Sequence, residues 1–217
     1  DNKVILEQTY FYPTSGGQLH DTGMIHCQAH IPPLECHVIN VFKQGNVIIH
    51  VLSQKLQIKE GAEVECEIDL DRRLQLAKHH TATHIVNAAA RKVLGAHINQ
   101  AGAKKDIDKA VIDLTHYQSI TDDELQKIEE AANKIVQQRI QVQSMFLPRT
   151  EAEQAYGMGI YQGGVVPGKI LRIVNIPGVD AEACGGTHLN NTFEAGEIKI
   201  LKTAKISDGI VRIYFTA

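Results

Sequence analysis

The sequence predicts an α+β protein, with a Gly-rich, β-barrel-like N-terminal subdomain at 1–72 and a core of helices on an antiparallel sheet at 73–217. Three observations predict it. Short β-branched runs punctuated by Gly, Pro and Asn crowd the N-terminal third. Two later segments repeat apolar residues at helical spacing. Strands and helices then follow one another without the regular alternation that a doubly wound parallel sheet requires. A length of 217 residues suits one large domain or two unequal ones.

In chain order, KVILEQTYFYP, CHVINVF and NVIIHVLS read as strands. EVECEIDL alternates Val64, Cys66 and Ile68 with Glu63, Glu65 and Glu67, as a strand with one wet face would. A helix is predicted from Asp71 to Leu94, carried by Ile85, Val86, Ala89, Ala90, Val93 and Leu94, with Gly95 as its stop. KAVIDLT reads as a strand. TDDEL offers a capping box, Thr121 with Glu124, ahead of the apolar stripe Leu125, Ile128, Ala132, Ile135 and Val136. RIQVQS alternates as a strand, and a short helix is expected from Thr150, with Glu153 at capping-box reach and Gly157 at its end. KILRIVNI, GEIKILK and IVRIYF close the chain as strands.

No apolar run approaches the roughly 20 residues needed to cross a bilayer, so no membrane partner is expected. A net charge of -3 argues against a broad basic surface for duplex nucleic acid. The local clusters Arg72, Arg73 and Lys78, then Arg91 and Lys92, then Lys104, Lys105 and Lys109 read first as solvated faces. The opening DNKVILEQ has neither an initiator Met nor a signal pattern, which suggests a start inside a longer chain. Cys27, Cys36, Cys66 and Cys184, with eleven histidines and no secretion signal, suggest a reducing, cytoplasmic setting where Cys near His points to metal.

The chemistry concentrates in two short stretches. HHTATH places His80 and His84 four apart on the predicted helix, so both side chains face the same way. ACGGTH places Cys184 and His188 four apart on a loop that the glycines allow to bend tightly. Three imidazoles and one thiolate suit tetrahedral zinc, not the oxygen-seeking calcium or magnesium. A closed set of four is usually structural, whereas a catalytic ion keeps a place for water, and spacing alone leaves the choice open. The helical pair lacks the Glu of H-E-x-x-H, which argues against that route of peptide hydrolysis. A looser grouping, Cys27, His30, Cys36 and His37, reads as a proline-turned hairpin. In YPTSGGQLHDTG, Thr14, Ser15, Gly16, Gly17 and Gln18 form a tight turn that can also approach a small polar substrate.

FYPTSGGQLHDTG, HTATHIVNAAARKVLGAHINQAGA and DAEACGGTH, in that order, resemble the editing region of alanyl-tRNA synthetase and its free-standing AlaX relatives, over essentially the whole chain. YQGGVVPGKILRIVNIPG resembles the archaeal form. The resemblance implies an aminoacyl-tRNA deacylase, part of an aminoacyl-tRNA ligase, that hydrolyses Ser-tRNA(Ala) and Gly-tRNA(Ala). It implies zinc on His80, His84, Cys184 and His188. It implies that Thr14 and Gln18 act at the reacting ester, that Ser15, Gly16, Gly17 and Gln100 line the substrate site, and that Asp180 to Glu182 border it. The implied partners are the tRNA(Ala) acceptor end and the rest of the synthetase; Arg72, Arg73 and Lys78 would then meet acceptor-end phosphates. A pocket for alanine cannot exclude glycine sterically and rejects an added hydroxyl only modestly, hence the need for a second hydrolytic site. Three alternatives stay open: a threonyl-type editing domain, a free-standing AlaX protein, and a non-catalytic zinc-stabilised RNA-binding module.

Overall fold

The computed structural model describes residues 2–28, 34–55 and 57–217. His30 of the looser cluster lies outside them. The chain divides into two compact units, Asp1–Gln75 and Leu76–Ala217.

The first unit is a five-stranded antiparallel sheet. Its strands are β1 (Lys3–Val4), β2 (Gly23–Cys27), β3 (Leu34–Gln44), β4 (Val47–Leu52) and β5 (Glu65–Ile68), in the order β1-β4-β3-β2-β5. The predicted barrel is corrected here: among the described residues the sheet is open, with β1 and β5 as its edges. The reason lies in KVILEQTYFYP, of which only Lys3–Val4 enters the ladder, too short an edge to close onto another strand. The edge position of β5 also explains why Cys66 is exposed where alternation predicts burial, since β5 pairs with β2 alone. Phe11, Ile25, Cys36, Val38, Val41 and Leu52 form this unit's core. Cys36 belongs to that core, its Sγ 3.6 Å from the Gln54 carbonyl, so it serves as a small packed side chain.

Helix α1 (Leu70–Leu94) starts in the first unit and continues through the second. The second unit adds β6 (Gln100–Lys105), β7 (Ala110–Thr115), α2 (Asp122–Gln137), β8 (Gln143–Pro148) and α3 (Arg149–Tyr156). It ends with β9 (Ile170–Ile176), β10 (Asp180–Ala183), β11 (Lys199–Ser207) and β12 (Ile210–Thr216). Two antiparallel sheets result, β11-β12-β7-β6 and β10-β9-β8. Ile85 and Ala89 of α1, Ile128 and Ala132 of α2, and Ile112, Leu114, Ile213 and Phe215 from one face of the four-stranded sheet share one core. The mixed, antiparallel character is the one predicted.

Two local expectations fail for identifiable reasons. Strand β8 starts at Gln143, not Arg139, because Arg139 takes φ 54° in the turn that ends α2. Thr150 does not cap α3; Pro148 precedes the helix, and the Glu153 carboxylate accepts the Tyr161 hydroxyl instead. QAGAKK, rich in small and charged residues, forms β6 because it pairs along β7.

Candidate metal centre

Helix α1 is unusual in what it buries. From His79 to Asn87 every residue is buried, among them three histidines and two threonines. A polar stretch inside a helix that is enclosed all round needs partners. Thr83 Oγ1 donates to the His79 carbonyl at 2.7 Å, and Thr81 Oγ1 accepts the Leu189 N–H at 3.0 Å, which ties the cysteine loop to the helix. His80 and His84, one turn apart, stack with ring centroids 5.7 Å apart.

The β9–β10 hairpin supplies the other half. Its register sets Glu182 opposite Val174 and Ala183 opposite Ile173, so the chain leaves β10 directly into Cys184. Arg172 clamps the loop that follows. Its Nη1 donates to the Cys184 carbonyl at 2.8 Å and the Gly186 carbonyl at 3.0 Å, its Nη2 donates to Ser144 Oγ at 2.9 Å, and its own carbonyl accepts the Cys184 N–H at 3.0 Å.

The two halves converge. Cys184 Sγ lies 3.3 Å from His80 Nε2 and 3.3 Å from His188 Nε2. The His188 ring centroid is 4.3 Å from that of His80 and 4.9 Å from that of His84. All four donor atoms lie within 4.8 Å of one another. A tetrahedral zinc site, with Zn–S near 2.3 Å and Zn–N near 2.0 Å, separates sulfur from nitrogen by about 3.5 Å. The donor set and its spacing fit that ion.

A carboxylate layer stands behind His84. Its Nδ1 donates to Asp180 Oδ2 at 2.9 Å and lies 3.4 Å from Glu182 Oε2; Asn87 Nδ2 donates to Glu182 Oε1 at 3.1 Å. This network assigns the Nδ1–H tautomer and leaves Nε2 to ligate. His188 differs, because its buried Nδ1 has no hydrogen-bond partner among the described residues.

Electrostatics prepares the donors. Burial, with nearby His188, Lys105 and His84, pushes His80 well below its ordinary range, and burial with His84, Arg172 and Lys105 does the same to His188. Burial also opposes charge on His84, but Glu182, Asp180 and Cys184 outweigh it and raise this group well above the ordinary value. Burial pushes Glu182 up to about 7. The Cys184 thiol is lowered despite its burial, chiefly through His84 and then a Gly186 backbone bond and Lys105. Cys184 is thus shifted towards the thiolate and His80 and His188 towards the neutral ring, the forms that bind metal, whereas His84 is shifted towards its protonated form and would release the Nε2 proton to a bound ion.

The other candidate residues sit as follows. Gln100 opens β6, where its N–H donates to Gln162 Oε1 at 2.8 Å and its carbonyl accepts the Gly163 N–H at 2.9 Å. Thr14 to Gln18 belong to the first unit. Ser15 and Gln18 bond reciprocally across Gly16 (φ 55°) and Gly17 (φ 75°), a turn that requires left-handed backbone at both central positions. Thr14 Oγ1 lies 3.0 Å from His20 Nδ1, and Gln18 is buried. Arg72 and Arg73 are engaged within this unit: Arg72 Nε donates to the His20 carbonyl, and Arg73 forms an ion pair with buried Asp21. That pairing weakens their assignment to phosphates.

Sequence reading missed Arg172, Asn87 and Lys105. Arg172 and Asn87 carry no spacing signal, since their contacts arise only on folding. Lys105 had one: in a strand through KK, one of two adjacent lysines must face inward. Lys105 does, opposite Ala110, and is 2% exposed.

Comparison with known proteins defines the class first. Residues 171–214 match the family model described as threonyl and alanyl tRNA synthetase second additional domain, and residues 1–72 match that of class II (A) tRNA synthetases. The chain is 54% identical over 99% of its length to alanine-tRNA ligase of Staphylothermus marinus, 49% over 98% to that of Pyrococcus abyssi, and 48% over 100% to that of Methanococcus aeolicus. It belongs to the alanyl-tRNA synthetase family, with archaeal members among its relatives. The chain spans about 23% of the length of these relatives.

Proposed function

We propose that the chain is the editing part of an alanyl-tRNA synthetase and hydrolyses the ester that joins serine or glycine to tRNA(Ala). The convergence of His80, His84, Cys184 and His188 on one point carries this reading. Zinc is the ion we assign to them. When bound, it supplies positive charge that polarises the ester carbonyl or a water near it. The protein's own groups do the rest. Asp180 holds His84 in its tautomer, Arg172 holds the Cys184–His188 loop in shape, and the burial of α1 keeps His80 and His84 out of bulk water. Thr14 and Gln18 are proposed to act at the ester and to read the serine hydroxyl, with Ser15, Gly16, Gly17 and Gln100 lining the substrate site. The natural partners would be the tRNA(Ala) acceptor end and the remainder of a cytoplasmic synthetase.

One observation favours a second reading. Four protein donors within 4.8 Å of one another make a closed set, the arrangement usual for structural zinc. A single assay separates the two. Purified chain of measured zinc content is incubated with Ser-, Gly-, Ala- and Thr-charged tRNA. Ser and Gly esters should be cleaved fastest, and Cys184→Ala should lose zinc and activity together. Deacylation no faster than buffer would leave an RNA-binding module; full activity in zinc-free Cys184→Ala would make the ion structural.

A further inference from the structure

The four-stranded sheet packs one face on α1 and α2, and on the other Val111, Asp113, Arg212 and Tyr214 are half-buried while Lys104, Lys199 and Lys202 are exposed. The registers of its strands align one rung across all four: Lys104 opposite Val111, Val111 opposite Tyr214, and Tyr214 opposite Lys202. At about 4.8 Å per strand, the rung sets two lysines about 14 Å apart with an aromatic ring between them. The Lys202 ammonium lies 4.8 Å over the Tyr214 ring, and the Arg212 guanidinium 6.0 Å from it. On the next rung the small residues Gly102 and Ala204 flank the Asp113–Arg212 pair, so bulk beside the ring is confined to that pair. Lys199 joins the same face at the far end of β11, opposite Thr216.

Charge on this face is one-sided. Asp113 is the acidic residue within its strands, and Arg212 neutralises it through two bonds, Nε to Oδ1 at 2.6 Å and Nη2 to Oδ2 at 2.8 Å. Lys104 pairs loosely with Asp106 at 3.4 Å in an exposed contact. Lys199 and Lys202 are exposed and form no ion pair among the described residues. In a chain of net charge -3, such a face runs against the overall sign.

We infer that this face is a binding platform for an unpaired segment of RNA. Lysines at its margins meet phosphates, and the Tyr214 ring takes the face of a base when Lys202 swings from the ring to the backbone. A four-stranded sheet with an aromatic in its middle and cations at its edge is a surface on which stacking gives affinity without reading sequence. The inference does not depend on the deacylase reading, because it concerns binding alone.

Fluorescence anisotropy of the full chain with a labelled single-stranded RNA of mixed sequence, and with its duplex, tests it across a salt series. Tyr214→Ala should weaken single-strand binding about tenfold with little change in salt slope, and Tyr214→Phe should restore it. Lys199→Ala with Lys202→Ala should also weaken it and reduce the slope by about 1.4, or 0.7 for each lost phosphate contact. Circular dichroism of each variant checks that the fold is kept. The inference is overturned if the chain does not bind the single strand, if it prefers the duplex with Tyr214→Ala silent, or if neither surface variant changes affinity, which would leave the face to a protein neighbour.

Discussion

At the scale of the residue, the two loop- and helix-borne histidines His188 and His84 are not equivalent. His84 is oriented from behind by Asp180, whereas His188 Nδ1 has no such support among the described residues. An orienting carboxylate fixes ring angle and tautomer and raises basicity, and losing one typically costs 10–100-fold in metal affinity, a range of about 1.4–3 kcal/mol. Asp180→Asn should therefore weaken zinc by about that factor in a competition titration with a chromophoric chelator, with helix content unchanged. An unaltered affinity would remove Asp180 from the support of the site. The histidines also set a pH limit on the chelator-treated chain. His80 and His188 both have folded-state values below the ordinary one, so they bind fewer protons folded than unfolded. Their stability contribution is present above about pH 6.5 and is lost as the pH falls through the lower folded values. Glu182, raised to about 7, binds its proton more readily in the folded state and so opposes them below that pH. Against the wild type, His80→Phe should therefore lose less melting temperature, or gain more, as the chelated chain is acidified below about pH 6.5; an identical pH dependence in the variant would place its origin elsewhere.

At the scale of the element, helix α2 shows how far local rules reach. Thr121 Oγ1 accepts the Glu124 N–H at 3.3 Å and the Glu124 carboxylate accepts the Thr121 N–H at 2.8 Å, the reciprocal pair that TDDEL announces. Glu124 is lowered by that Thr121 N–H and by the Thr121 hydroxyl, which donates to the same carboxylate at 2.8 Å. Thr121→Ala should destabilise the second unit by about 1 kcal/mol in urea unfolding, with the denaturant dependence unchanged. A cost near zero would mean that water replaces the cap. This helix, α1 and the pairing of His80 with His84 were legible because capping and helical spacing act within a few residues. What stayed hidden depends on partners outside the segment itself. QAGAKK has no strand propensity and becomes β6 through β7; Thr150 looks like a cap, but Pro148 fixes where α3 begins. The β9–β10 register that delivers Cys184 beside Arg172 has no trace in spacing at all.

At the scale of the whole molecule, the same limit explains the barrel that the sequence predicts and the described residues do not form. β-branched runs announce strands but not which edges meet, and a two-residue β1 leaves the first sheet open. The metal cluster, by contrast, links distant parts of the second unit: His84 on α1 contacts Asp180, 96 residues further along the chain, and meets Cys184, which follows β10, at the donor atoms. An ion on these four donors closes a long loop, and it binds the folded state far better than an unfolded chain that cannot gather them. Its contribution follows mass action, about 4 kcal/mol when free zinc is a thousandfold above the dissociation constant. Chelation should then lower the melting temperature of the transition that belongs to Leu76–Ala217, and added zinc should restore it in proportion to the logarithm of its concentration. Hydrogen exchange locates the effect: amides of β9, β10 and the His80–His84 turn should lose protection on chelation, while those of β3 and β4, which contain none of the four donors, should change least. Equal loss in both units, or none in either, would contradict a metal that stabilises the second unit by joining its helix to its hairpin.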